Sequence, residues 1–204
     1  MGEQSVKSIS DLSDRALFLR HILHDIDALD HMIENDMFEK GIQRIGAEQE
    51  FCLTNRNWEP SNRSEEIMQA LQDPHFTHEL AKYNLEINLD PVELKGDCFE
   101  KVEKQLRDLL GKTEKLLDER DQHIILTGIL PTITARHIEH DHLTPNPRFE
   151  ELNRIMRQHK GGDFELHIQG VDELITKHDS IVFEACNTSF QAHLQIDHKE
   201  AVDQ

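Results

Sequence analysis

Three short segments of this chain alternate apolar and polar residues with a period of two, and stretches of helical periodicity separate them. Residues 43–53 (QRIGAEQEFCL) set Ile45, Ala47, Phe51 and Leu53 on one face and Arg44, Glu48, Glu50 and Cys52 on the other. Residues 83–89 (YNLEINL) divide in the same way, Tyr83, Leu85, Ile87 and Leu89 against Asn84, Glu86 and Asn88. Residues 189–196 (SFQAHLQI) set Phe190, Ala192, Leu194 and Ile196 against Ser189, Gln191, His193 and Gln195. Such alternation requires a sheet with one face on a core and the other toward water. With helices of unequal length between the strands and few hairpin signals, the fold class is α+β, helices packed on one face of the sheet and the other face open.

The helical segments supply the cover for that core. Leu12, Ala16, Leu19, Leu23, Ile26, Leu29 and Ile33 form a helical stripe, with Ser10 or Ser13 as N-cap and Gly41 as the stop. The opposite face carries Asp25, Asp27, Asp30 and Glu34, with Asp36 and Glu39 following. A solvated face on a helix packed against the domain is the plainer reading. Leu12, Leu19, Ile26 and Ile33 also keep a seven-residue spacing, which admits a homo-oligomer through this helix. Residues 1–40 thus form an N-terminal amphipathic helix and 41–204 the α+β domain. Within the latter, a short helix is expected around Ser64–Leu71. Asp97 to Glu100 resembles a capping box ahead of a helix with Val102, Leu106, Leu109, Leu110, Thr113, Leu116 and Leu117 inward. Residues 122–130 read as a strand buried on both sides, Asn146-Pro147 as a helix start running to Gly161-Gly162, and 164–170 as a short strand.

Charge narrows the function. Among 204 residues, 40 acidic and 22 basic side chains give a net charge of −18, with no Lys/Arg stripe, which argues against nucleic acid as partner. No apolar run approaches the roughly 18–20 residues of a membrane span. The start MGEQSVKS lacks a signal pattern. Cys52, Cys98 and Cys186 are far apart and odd in number, which fits a reduced, cytoplasmic setting.

The polar strand faces carry the chemistry. Glu48 and Glu50 share one face of a strand at ~6–7 Å, where two carboxylates repel by about 2–3 kcal/mol at an effective dielectric near 20. A solvated sheet face tolerates that repulsion, and a divalent cation reverses it. Clustered Glu with little Cys or His reads as a Mg²⁺–nucleotide platform rather than a zinc site. A separate His137, His140 and His142 cluster admits a transition metal, although no fourth ligand is evident. No GxxxxGK[ST], GxGxxG or GxSxG motif occurs.

These residues carry a resemblance. Ile45-Gly-Ala-Glu-Gln-Glu-Phe51 is similar to the opening strand of the glutamate–cysteine ligase family, in its bacterial carboxylate–amine ligase branch. Leu85-Glu-Ile-Asn-Leu-Asp-Pro91 resembles that family's second acidic strand. The helix at 97–120 and the strand ending Thr127-Gly-Ile-Leu-Pro131 follow in order, then Asn146-Pro-Arg-Phe-Glu150 and Ala192-His-Leu-Gln195. The resemblance implies one half of a glutamine-synthetase-like fold, a curved, mainly antiparallel sheet binding Mg²⁺ and ATP. It implies ATP-dependent joining of a carboxylate to an amine, with γ-glutamylcysteine, the precursor in glutathione biosynthesis, as the usual product. By motif position Glu48, Glu50 and Glu86 would ligate Mg²⁺, with Glu79 as a further ligand. His193 and Gln195 would contact the nucleotide, and Arg148 would be catalytic. The family's domain continues beyond its His strand, so the expectation is an N-terminal portion, incomplete at the C-terminus and inactive alone. A noncatalytic regulatory or interaction module on the same fold is the alternative.

Overall fold

A computed structural model describes Val6, Lys7, Ile9 and residues 11–201. Ser10 lies outside the described residues, and Ser13 lies inside the first helix, α1 (Leu12–Glu34). Its N-cap is Asp11, whose carboxylate accepts the Asp14 N–H at 2.8 Å. The helix ends well before Gly41, at Asn35, because Asp36 turns into the left-handed region at φ 56°. No residue of α1 is buried. The expected packing of this helix on the domain is therefore absent.

The sheet is built on β1 (Arg44–Asn55), the longest strand, and every pairing in it is antiparallel. One edge of β1 pairs with β3 (Asn84–Asn88) and β4 (Val92–Glu93), and β3 carries β2 (Phe76–His78) outside it. The other edge pairs with β8 (Phe190–Leu194) along its first half and with β5 (Gln122–Ile125) along its second. α2 (Ser64–Leu71) and α3 (Cys98–Asp118) cover one face. Phe51, Leu53, Leu85 and Ile87 meet Ile67, Val102 and Leu117 there in the main core. On the outer side of α3, Lys101–Asp97, Arg107–Glu103 and Lys104–Asp108 are exposed i,i+4 pairs, each worth a few tenths of a kcal/mol. Among the described residues, no helix is long and apolar enough to cross a membrane.

Several local expectations fail for identifiable reasons. Tyr83 is buried but not in the main core. The chain turns between Ala81 and Asn84, so Tyr83 packs with Ala81 and Ala185 on the opposite side. Asp97 is the N-cap of α3 but makes no side-chain capping bond. The strand at 122–130 stops at Ile125, leaving Leu126 and Ile129 exposed. In β8, Phe190 and Leu194 are exposed, because this edge strand lies beyond the reach of α2 and α3. The strand at 164–170 is real, β6 (Phe164–Gln169), but it forms a separate hairpin with β7 (Glu173–His178). α4 (Pro147–Lys160) begins as expected, with the Asn146 side chain accepting the Arg148 N–H, and ends at Gly161 with φ 77°.

The second face of the sheet is open at only one end. Leu143, Phe149, Phe164, Ile181 and Val182 form a second cluster. Its turn at Ile181–Cys186 reaches the sheet, where Asn84 Nδ2 donates to Ala185 O at 2.5 Å; just after it, Thr188 N bonds Gly128 O in the segment beyond β5. Cys52 and Asn84 are fully covered by this layer, whereas Glu48, Glu50 and Glu86 sit beyond it, half-buried.

Candidate carboxylate site

The register explains how distant acids come together. Glu50 stands directly opposite Glu86, and Glu48 opposite Asn88, so their side chains rise on one face. Glu86 in turn stands opposite Thr77 of β2, and Glu79 follows one residue after that strand. Glu50, Glu79 and Glu86 each present an oxygen, and these oxygens lie within 4.8 Å of one another. Glu48 is just outside this group, its carboxylate 3.6 Å from His193 Nε2.

Each member is held by neighbours. Glu50 Oε2 accepts the Ser189 backbone N–H at 2.7 Å, while Ser189 O accepts the Glu50 N–H at 2.9 Å. Glu86 Oε1 accepts from the Thr77 hydroxyl at 2.8 Å and from Asn88 Nδ2 at 2.7 Å. Residues 79–82 are pinned by the segment before α4. The Thr144 hydroxyl bonds Glu79 O at 2.7 Å, and Thr144 N bonds Leu80 O.

Electrostatics make the arrangement costly without a cation. At ~5 Å, two carboxylates repel by about 3 kcal/mol at an effective dielectric near 20. Burial, reinforced by the charges of Glu50 and Glu86, pushes the Glu79 carboxyl up to about 8. A proton retained on Glu79 relieves part of the repulsion among the three carboxylates. Burial raises Glu50 as well, against the opposing Ser189 hydrogen bonds. The donor set is all carboxylate oxygen, which fits Mg²⁺ or a similar hard cation and not zinc. Removing the Thr77 hydroxyl frees Glu86 to rotate. Thr77→Val is therefore expected to weaken Mg²⁺ binding about tenfold in a calorimetric titration; an unchanged affinity means that Asn88 alone orients Glu86.

Of the remaining sequence-derived candidates, His193 and Gln195 share one groove with Glu48, and Arg148 lies on α4. His193 stands opposite Gly46 on β8 and lines a groove of about 440 Å³ with Arg44, Glu48, Asn88 and Pro91. A Cβ at position 46 would lie 3.8 Å from Pro91 and 3.9 Å from His193, ordinary contact distances, so an alanine fits there. Gln195 lines the same groove, where its Oε1 accepts from Arg44 at 2.9 Å and its Nε2 donates to Glu39. Arg148 is exposed in the first turn of α4, four residues after the Thr144 anchor of Glu79. The three histidines do not form a ligand group: the His137 and His142 rings meet edge-on with centroids 5.7 Å apart, His137 bonding Thr134 and Arg136 and His142 bonding Asn62, while His140 faces Glu150. Among the described residues, Glu50, Glu79 and Glu86 are the one such group of potential ligands. Thr77, Thr144 and Ser189, which hold the site, carried no sequence signal, because their role depends on strand pairing and loop docking.

Residues 44–202 match the model of glutamate–cysteine ligase family 2. No curated protein and no solved structure matches the chain. The match covers well over half of the sequence, so the chain belongs to this family, a glutamate–cysteine ligase-like group of carboxylate–amine ligases.

Proposed function

We propose that this member of the family is the metal- and nucleotide-binding portion of an ATP-dependent carboxylate–amine ligase that forms γ-glutamylcysteine or a close analogue. The observation that carries the reading is the convergence of Glu50, Glu79 and Glu86 within the family-matched region, on the open end of a sheet face. These three carboxylates would hold Mg²⁺, and Glu48 with His193 would border the same platform. The ion, when bound, neutralises the phosphate charge that opposes phosphoryl transfer to a carboxylate.

The chain's own groups account for the rest. Transfer of the ATP γ-phosphoryl group to the substrate γ-carboxylate gives an acyl phosphate and ADP; attack by the amine then forms the amide and expels phosphate. Glu79 gives up its proton when the site fills. Thr77, Asn88 and Ser189 keep Glu86 and Glu50 aimed inward, limiting reorganisation during the reaction. His193 and Arg148 are the polar and cationic groups offered to phosphate from β8 and α4. The cysteines are all unpaired and buried, which supports a reducing, cytoplasmic setting.

Titration of the chain with ADP in the presence of Mg²⁺ tests this reading. Binding is expected for the unaltered chain and a loss of about 10–100-fold in Glu50→Ala/Glu86→Ala. Absence of binding heat, or affinity unaffected by the double substitution, overturns it.

A further inference from the structure

The 23-residue helix α1 is unusual in lacking a buried side: Leu19, Leu23 and Ile26 are 56–60% exposed although they form one stripe. Near its N-terminus α1 stands across open space from α4, with Leu12 and Phe18 facing Arg154 and Ile155 over a groove of about 1060 Å³. A helix of this length spans ~35 Å, and most helical stability in proteins comes from packing an apolar face. Something must cover this stripe.

The charges along α1 select the occupant. Its first half, with the Asp11 cap, is charge-balanced, Arg15 and Arg20 against Asp11 and Asp14, whereas its second half carries Asp25, Asp27, Asp30 and Glu34. A lipid surface, usually anionic, is repelled by the second half. A second copy laid parallel would stack the two acidic halves on each other. Laid antiparallel, it sets the acidic half of each helix against the Arg15 and Arg20 half of the other, with the apolar stripes facing between them. We propose that α1 pairs antiparallel with α1 of a second copy of this chain, making the protein a homodimer. The pairing is independent of the metal site, because α1 shares no element with it.

Sedimentation equilibrium of the full chain is the first test, and a monomer–dimer equilibrium in the micromolar range is the expected result. A monomer at every concentration overturns the proposal. Leu19→Asp/Ile26→Asp is expected to weaken association by about a hundredfold or more. These side chains touch no part of the sheet domain, so its denaturant unfolding should be unchanged even where α1 loses helicity; a dimer that survives the double substitution uses another surface and also overturns the proposal. Orientation is read from a nitroxide on Asp14→Cys, the native cysteines being buried. Antiparallel pairing places the two labels about 25 Å apart or more, and parallel pairing within about 15 Å, so the short distance contradicts the assignment.

Discussion

Glu79→Gln is expected to remove a loss of stability that the unaltered chain shows as pH rises from about 5 to 9. The sign follows from where the proton resides. In the unfolded chain Glu79 loses its proton near the ordinary value of 4.5, whereas in the folded chain it holds that proton up to about 8. Between these limits the native state binds the extra proton, so its stability is greatest at the acid end and falls as pH climbs through 8. The loss is on the order of 3 kcal/mol, partial exposure of the site being allowed for. Urea midpoints measured at intervals across this range should fall for the unaltered chain and fall less for Glu79→Gln. Millimolar Mg²⁺ at pH 8 should recover much of the loss in the former only, since a cation takes over the proton's role. Equal slopes for the two proteins mean that Glu79 ionises normally and that the three carboxylates do not meet.

The second large effect is expected beneath the site. Phe51 is fully buried between the sheet and its helices and pairs across the strands with Leu85. Phe51→Ala removes an aromatic ring that the surroundings cannot replace, at a cost of about 3–5 kcal/mol. Domains of this kind have ~5–15 kcal/mol in total, so the substitution consumes a large share. Leu194→Ala, on β8, is the matching control. Its side chain is 60% exposed, and a change within about 0.5 kcal/mol is expected. Denaturant unfolding of both variants separates the two environments; a comparable loss for Leu194→Ala means that β8 is covered in solution.

The contrast between Phe51 and Leu194 also marks what the sequence can disclose. Period-two patterning located β1, β3 and β8, because the pleat fixes which residues share a face. It identified the polar faces carrying Glu48, Glu50, Glu86 and His193, and α4 followed from its Asn146-Pro147 start. Alternation does not say whether an element lies above the apolar face, which is why Phe190 and Leu194 were expected in a core that ends short of them. The same limit applies to α1, whose stripe is genuine although nothing among the described residues covers it. Tyr83 was misassigned because the pleat was extended one residue past a turn. The grouping of Glu79 with Glu50 and Glu86 was legible only through resemblance. Its geometry depends on the register of β2 against β3 and on Thr144 docking, both long-range pairings without a local signature. The covered end of the second sheet face was likewise invisible, since a short turn at Ile181–Cys186 makes it.

Proton release on metal binding tests the central claim most directly. Glu79 is largely protonated at pH 7 and must ionise to accept a cation, so Mg²⁺ should displace close to one proton for each ion bound. Calorimetric titration with Mg²⁺ in two buffers of different ionisation enthalpy counts that proton. The account gives about one proton for the unaltered chain and essentially none for Glu79→Gln. Mg²⁺ binding without proton release by the unaltered chain, or no binding at all, contradicts the assignment of Glu50, Glu79 and Glu86 as the metal site.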